Sequence, residues 1–216
     1  QSLANSEFLV IADLDAGQRE ARIFAAAPLT SDELDRHFGE AIQDVLRVYW
    51  DEREQAVLAR RQRRLGELIL SDAAARNPDP AQPALATLEG VRSMGLDALP
   101  WTAVLRQWQA RVLFSRTAQP DATPAWPDVS DAALLATLDD WLLPYLDGKW
   151  RLSDLDGETF GEALRSRLDY TQRKQLDEYA PRELTVPSGM TRKLTYQGDA
   201  PVLAVKLQEL FGLADT

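Results

Sequence analysis

Two patterns of apolar residues run along this chain: short β-rich runs, one of them alternating, over its first third, and a spacing of three and four over most of the rest. Glu7 to Leu14 is dominated by Phe, Leu, Val and Ile, stops at Asp15-Ala-Gly-Gln18, and is resumed from Ala21 to Ala27, which predicts a β-hairpin. Thr30-Ser-Asp-Glu33 has the form of a capping box. Leu34, Phe38, Ala41 and Ile42 behind it predict a short amphipathic helix. From Asp44 to Asp51, Val45, Arg47 and Tyr49 alternate with Leu46, Val48 and Trp50. An acidic turn, Asp51-Glu-Arg-Glu54, follows, and Ala56–Arg64 and Glu67–Ser71 complete a meander. Five strands and one helix are of the size of a small barrel of the oligonucleotide-binding type, the fold expected for residues 1–80.

Between Ser71 and Leu85 the composition shifts to Ala, Asp, Asn and Pro, with Pro78, Pro80 and Pro83, and this predicts a linker. A helical lobe over 81–216 is expected beyond it. Leu85, Leu88, Val91 and Arg92 lead to Gly95 as a C-terminal stop, and Trp101, Val104, Leu105, Trp108, Val112 and Leu113 form the stripe of the next helix. Ser130-Asp131 caps a helix running through Leu134, Leu138, Trp141 and Leu142 to Pro144. Phe160, Ala163, Leu164 and Leu168 mark another, and a short one from Tyr170 closes near Leu176. Near the end, Leu184/Val186 and Leu194/Tyr196 keep a period of two around Pro187-Ser-Gly189, which predicts a second hairpin, and Leu203, Leu207, Leu210 and Phe211 predict a final helix stopped at Gly212. The fold class is therefore α+β: a small OB-like β-barrel followed by a helical lobe with a β-hairpin.

Composition narrows what such a protein can do. With 216 residues and 45% hydrophobic content the chain can bury a sizeable core. Its net charge of −10 confines any polyanion contact to a local basic patch. Cysteine is absent, which removes disulfides, thiolate metal sites and thiol nucleophiles and fits a reducing cytoplasmic compartment. No apolar run reaches the roughly 18 residues of a membrane span, so no membrane partner is expected.

No catalytic residue and no metal site are expected. Gly148-Lys149 is followed by Trp150 and lacks the earlier glycine of a phosphate-wrapping loop. His37 is the single histidine and has no serine placed to form a triad. Asp32-Glu-Leu-Asp35 sits at a helix start, where the helix dipole explains its acids. The pairs Asp13/Asp15, Asp139/Asp140 and Asp154/Asp156 lack the spacing of a calcium loop. Trp101, Trp108 and Trp141 occupy core-facing helical positions, whereas Trp126 and Trp150 fall in loops and remain open to base stacking.

Arg60-Arg-Gln-Arg-Arg64 is the one concentrated basic signal. Strand alternation throws Arg60 and Arg64 to one face and Arg61 and Arg63 to the other, where their guanidinium forks can match phosphate oxygens. Pairing with nearby carboxylates, or docking on a neighbouring acidic domain, is the competing reading. Arg192 and Lys193, beside the Pro187-Ser-Gly189 turn, form a second candidate.

The stretch from Tyr179 to Tyr196, with Val186-Pro-Ser-Gly189 at its centre and Pro201-Val-Leu-Ala-Val-Lys-Leu-Gln-Glu-Leu-Phe-Gly212 behind it, resembles the C-terminal region of bacterial DExH-type ATP-dependent helicases of the HrpB kind. Asp97-Ala-Leu-Pro-Trp-Thr102, Gln109-Ala-Arg-Val-Leu-Phe114, Trp126-Pro127 and Leu138-Asp-Asp-Trp-Leu-Leu-Pro144 look like upstream blocks of the same family in the same order. Phe8–Asp15 and Ala21–Pro28 look like its β-domain. The resemblance implies a RecA-like ATPase core before Gln1, using ATP and Mg²⁺, and a last block after Thr216. It implies an accessory role for this chain itself, binding single-stranded nucleic acid, RNA above all, and docking to that core, with no cofactor of its own. A protein-interaction scaffold that never touches nucleic acid is the alternative.

Overall fold

The computed structural model describes residues 6–15, 22–197, 200–206 and 209. The chain divides into two compact units, Gln1–Arg47 with Ala59–Arg76, and Val48–Leu58 with Asn77–Thr216.

In the first unit, strands β1 (Phe8–Asp15) and β2 (Arg22–Leu29) pair antiparallel from Phe8↔Leu29 to Asp15↔Arg22, with the register slipping on either side of Asp13. Helix α1 (Ser31–Phe38) starts where the capping box places it: the Thr30 hydroxyl accepts from the Glu33 amide at 3.3 Å and the Glu33 carboxylate accepts from the Thr30 amide at 2.9 Å. One 3₁₀ turn then leads into β3 (Ile42–Asp51), β4 (Ala56–Leu65) and β5 (Leu68–Ala74), ordered β3-β4-β5.

These strands do not make the expected barrel. Among the described residues, β1-β2 and β3-β4-β5 are separate ladders. A closed barrel needs an unbroken ladder around an enclosed interior. Here, consecutive residues Leu9, Val10 and Ile11 are all exposed, as are Ile23 and Phe24, so neither face of the hairpin lines an interior.

The second unit holds the main hydrophobic core. It is built from α2 (Ala81–Met94), α3 (Ala103–Ala118), α4 (Asp131–Ala136), α5 (Leu138–Trp141), α6 (Gly157–Arg165) and α7 (Tyr170–Tyr179). Leu88, Val91, Val112, Leu134, Leu138, Leu142, Leu146, Phe160 and Leu164 are fully buried within it. Gly95 ends α2 at φ +82°, and its amide reaches the Val91 carbonyl at 2.8 Å. Two stripe positions point elsewhere: Leu85 is 47% exposed and Val104 65%, because Ala84 and Leu105 take the inward places. The helix expected from Ser130 to Leu142 is two, interrupted at Thr137, where the hydroxyl bonds back to the Ala133 carbonyl at 2.8 Å.

The tip of the β3–β4 hairpin is built into this unit. The Val57 amide donates to the Trp150 carbonyl at 2.7 Å, Ala56 bridges Arg151, and the Ser93 hydroxyl donates to Glu52 at 2.6 Å.

A three-stranded antiparallel sheet follows, β6 (Glu183–Thr185), β7 (Thr191–Gln197) and β8 (Ala200–Leu203), with β7 in the middle. Gly189 takes φ +81° in the β6–β7 turn, as a tight reversal requires. Val186 and Tyr196 are buried, and the Tyr196 hydroxyl donates to the Pro181 carbonyl at 2.7 Å. Leu203 was expected to open a helix, yet it pairs with Leu194 as the last residue of β8, since the ladder offered by β7 outcompetes the local three-and-four spacing. Leu207, Leu210, Phe211 and Gly212 lie outside the described residues.

Candidate functional site

The arginine run lies on β4, paired with β5 in the register Arg60↔Ala74, Arg61↔Ala73, Gln62↔Asp72 and Arg63↔Ser71, with a bulge before Arg64↔Ile69. Alternation holds as far as Arg63, and the bulge then resets the strand at Arg64.

On the face of Arg60 and Gln62 the charge is compensated. Asp72 Oδ1 accepts from Arg60 Nε at 2.9 Å and Oδ2 accepts from the Gln62 amide at 3.2 Å. Arg60 holds the Asp72 carboxyl below the usual carboxylate range. Gln62 is buried and its Oε1 has no partner among the described residues. Arg64 donates to Glu67 at 3.1 Å.

The face of Arg61 and Arg63 is different. With Asp44, Ser71, Ala73, Ala74, Ala75 and Arg76 it lines a concavity of ≈ 420 Å³. The small side chains of β5 leave the guanidinium groups standing above a shallow floor. Arg63 donates to Asp35 at 2.6 Å, and this hydrogen bond raises the arginine above its ordinary value. Arg61 and Arg76 are exposed, and neither has a carboxylate partner among the described residues. An exposed ion pair such as Arg63–Asp35 is worth only about 0–1 kcal/mol, so Arg63 can exchange its carboxylate for a phosphate at small cost.

The second candidate pair separates. Arg192 is gripped by both carboxylate oxygens of Glu209, which hold it above its ordinary range. Lys193, its neighbour, is exposed and lines a different cleft. The loop tryptophan Trp126 is 3% exposed and donates to Gln119 at 2.9 Å, which closes it to base stacking. Trp141 and Trp108 are buried in the core as their spacing predicted. His37 is exposed, and among the described residues no three His, Asp or Glu side chains are grouped to hold a metal. The sequence reading overlooked Arg76, which stands inside the stretch taken for a linker. Only the β4–β5 pairing brings it to Arg61.

Residues 141–216 match the family model of the HrpB-type ATP-dependent helicase C-terminal region, and residues 41–74 match the connector region of the ATP-dependent RNA helicase HrpB. The chain is 34% identical to the ATP-dependent RNA helicase HrpB of Escherichia coli K12 across 99% of its own length, but spans only 26% of that relative. It superposes on the crystal structure of the E. coli DExH-box NTPase HrpB with a TM-score of 0.61 at 34% identity, and on that of the E. coli DEAH/RHA helicase HrpB with 0.59 at 31%. Each superposition covers 98% of this chain and 26% of the other. Matches to the connector region over 41–74 and to the C-terminal region over 141–216, in chain order, together with 34% identity to HrpB across 99% of the chain, show that this chain corresponds to the C-terminal region of the HrpB-type DExH-box ATP-dependent helicases.

Proposed function

We propose that this chain is the accessory part of an ATP-dependent RNA helicase of the cytoplasm, holding single-stranded RNA and docking to a RecA-like ATPase core in the same polypeptide. In this reading residues 1–80 act as an OB-like RNA-binding β-domain through an open surface rather than an enclosed barrel, and residues 81–216 act as the helical helicase-associated domain. The observation that carries it is the concave face of Arg61, Arg63 and Arg76, two of its three arginines without a carboxylate partner among the described residues, in a chain of net charge −10. Arg60 and Arg64, already paired with Asp72 and Glu67, contribute less, and Arg192 is held by Glu209. ATP and Mg²⁺ belong to the core, because this chain has no glycine-rich Gly-Lys-Ser/Thr loop to cradle phosphates.

A titration of fluorescent single-stranded RNA into the chain at several salt concentrations tests the reading. Phosphate contacts give a log K that falls with log salt by about 0.7 per contact. A flat line favours the second reading, a protein-docking scaffold without nucleic acid. That alternative has its own support, since the β1–β2 hairpin exposes Leu9, Val10, Ile11, Leu14, Ile23 and Phe24, more apolar surface than a solvated hairpin needs.

A further inference from the structure

The second unit contains another concentration of positive charge, formed by residues far apart in sequence. Ala103, Val104 and Gln107 on the first turns of α3, Arg165 at the end of α6, Arg182 and Glu183 at the start of β6, and Lys193 and Leu194 on β7 surround a cleft of ≈ 400 Å³ floored by Trp108 and Arg111. Its geometry is fixed from beneath. Gln107 closes the end of the sheet, donating to the Tyr196 carbonyl at 3.3 Å and accepting from the Tyr196 amide at 2.9 Å. Arg111, 3% exposed, commits its Nε and Nη2 donors to the carbonyls of Ala180 and Leu176 and to Asp177, so it braces the floor.

The rim is available. Arg165 and Lys193 are exposed and have no carboxylate within ion-pair distance among the described residues. Arg182 stands 3.6 Å from Asp177, with 67% of its side chain exposed. Against these three cations the cleft sets one acid, Glu183, which faces Lys193 across the strand pair without forming an ion pair among the described residues. The remaining wall is apolar, with Val104 65% exposed beside Leu194. A water-facing valine beside Arg165 and Lys193, which have no carboxylate partner among the described residues, and an exposed Arg182 suits a ligand that is anionic at one end and flat and apolar at the other.

We propose that this cleft binds one nucleotide of single-stranded RNA, its phosphate held by Arg165, Arg182 and Lys193 and its base laid against Val104 and Leu194. The volume fits a single nucleotide, and arginine forks match phosphate oxygens. The choice of RNA among anionic ligands rests on the functional reading above, whereas the cleft stands independently of the β4 arginines.

The test uses the chain as it is, with uridine 5′-monophosphate as probe and inorganic phosphate and an oligoglutamate peptide as controls, followed by backbone amide NMR. Uridine monophosphate should shift the amides of Val104, Gln107, Glu183, Lys193 and Leu194, and bind more tightly than phosphate alone. Arg165→Ala/Lys193→Ala should weaken it about tenfold through loss of two charge-assisted contacts, and Arg182→Ala by less. Arg61→Ala/Arg63→Ala should leave these shifts unchanged. All five residues are exposed or half-buried, and a melting curve for each variant confirms that it folds. Shifts elsewhere or none, equal affinity for phosphate and nucleotide, or occupation of the cleft by oligoglutamate alone would overturn the proposal. Failure of the RNA reading itself would appear in the separate salt titration, as a flat slope, and leaves the nucleotide result readable.

Discussion

Gly90, in the middle of α2, lies directly under the Trp50 ring. A methyl group at that position would sit 2.3 Å from Trp50 Cδ2, 2.4 Å from Cε2 and 2.6 Å from Cγ. Ordinary contact begins about 1 Å farther out, so the ring of Gly90→Ala must leave its place. Trp50 is half-buried against the core, and losing about half of a tryptophan's buried area costs about 2–3 kcal/mol. Alanine recovers about 1 kcal/mol through its better helix propensity. The net loss is about 1–2 kcal/mol, a fall of roughly 2–8 °C in melting temperature for a chain of this size. Circular dichroism at 222 nm reads it. In a Trp50→Ala background the clash is gone and only propensity remains, so the same Gly90→Ala change should stabilise, by about 1 kcal/mol. The reversal of sign is the decisive result. Stabilisation by Gly90→Ala in the presence of Trp50, or an equal loss in both backgrounds, would refute the packing of Trp50 on α2 and with it the assignment of the β3–β4 tip to the second unit.

Arg111→Leu should cost about 1–3 kcal/mol, since it takes the donor from the Ala180 carbonyl at the end of α7, while the Leu176 carbonyl keeps the Ala180 amide, and thermal melting measures it. Trypsin should nick first after Arg76, which is exposed where the two units divide, rather than after Arg116 within α3. The two pieces should still co-elute on gel filtration, because Val48–Leu58 belongs to the second unit. Asp156 caps α6 by accepting from the Thr159 amide at 2.8 Å, and this bond holds its carboxyl below the ordinary range. A depressed folded value stabilises the protein above the unfolded carboxylate range, and that stability is lost as pH falls through it. Asp156→Asn, a cap that does not titrate, should therefore match the wild type at neutral pH and lose less stability below about pH 4, as melts across pH would show.

Local signals in the sequence proved legible. The capping box at Thr30, the positive-φ stops at Gly95 and Gly189, and the strands β1, β3 and β4 depend on neighbours within a few residues, and the structure has them in place. Features decided by distant partners were not legible. Barrel closure depends on which strand edges meet, and nothing in the spacing of Leu9 or Phe24 says that both faces of their hairpin stay exposed. Val104 and Leu85 fit a helical stripe as well as their buried neighbours do, and only the direction of packing separates them. The arginine run was visible because its members are adjacent. Which face is compensated was set by Asp72, Asp35 and a bulge after Arg63. Arg165, Arg182 and Lys193 are scattered along the chain and carry no joint signal until the fold gathers them.

The claim that RNA lies on the open face of β4 is tested most directly by comparing two double variants in one RNA titration across salt. Arg61→Ala/Arg63→Ala should lower affinity for single strands of any sequence and flatten the dependence of log K on log salt by about 1.4, for two lost phosphate contacts. Arg60→Ala/Arg64→Ala, whose side chains are already paired with Asp72 and Glu67, should change the slope by less than half as much. Equal slopes for the wild type and the Arg61/Arg63 variant, or a larger change from the Arg60/Arg64 pair, would contradict the account.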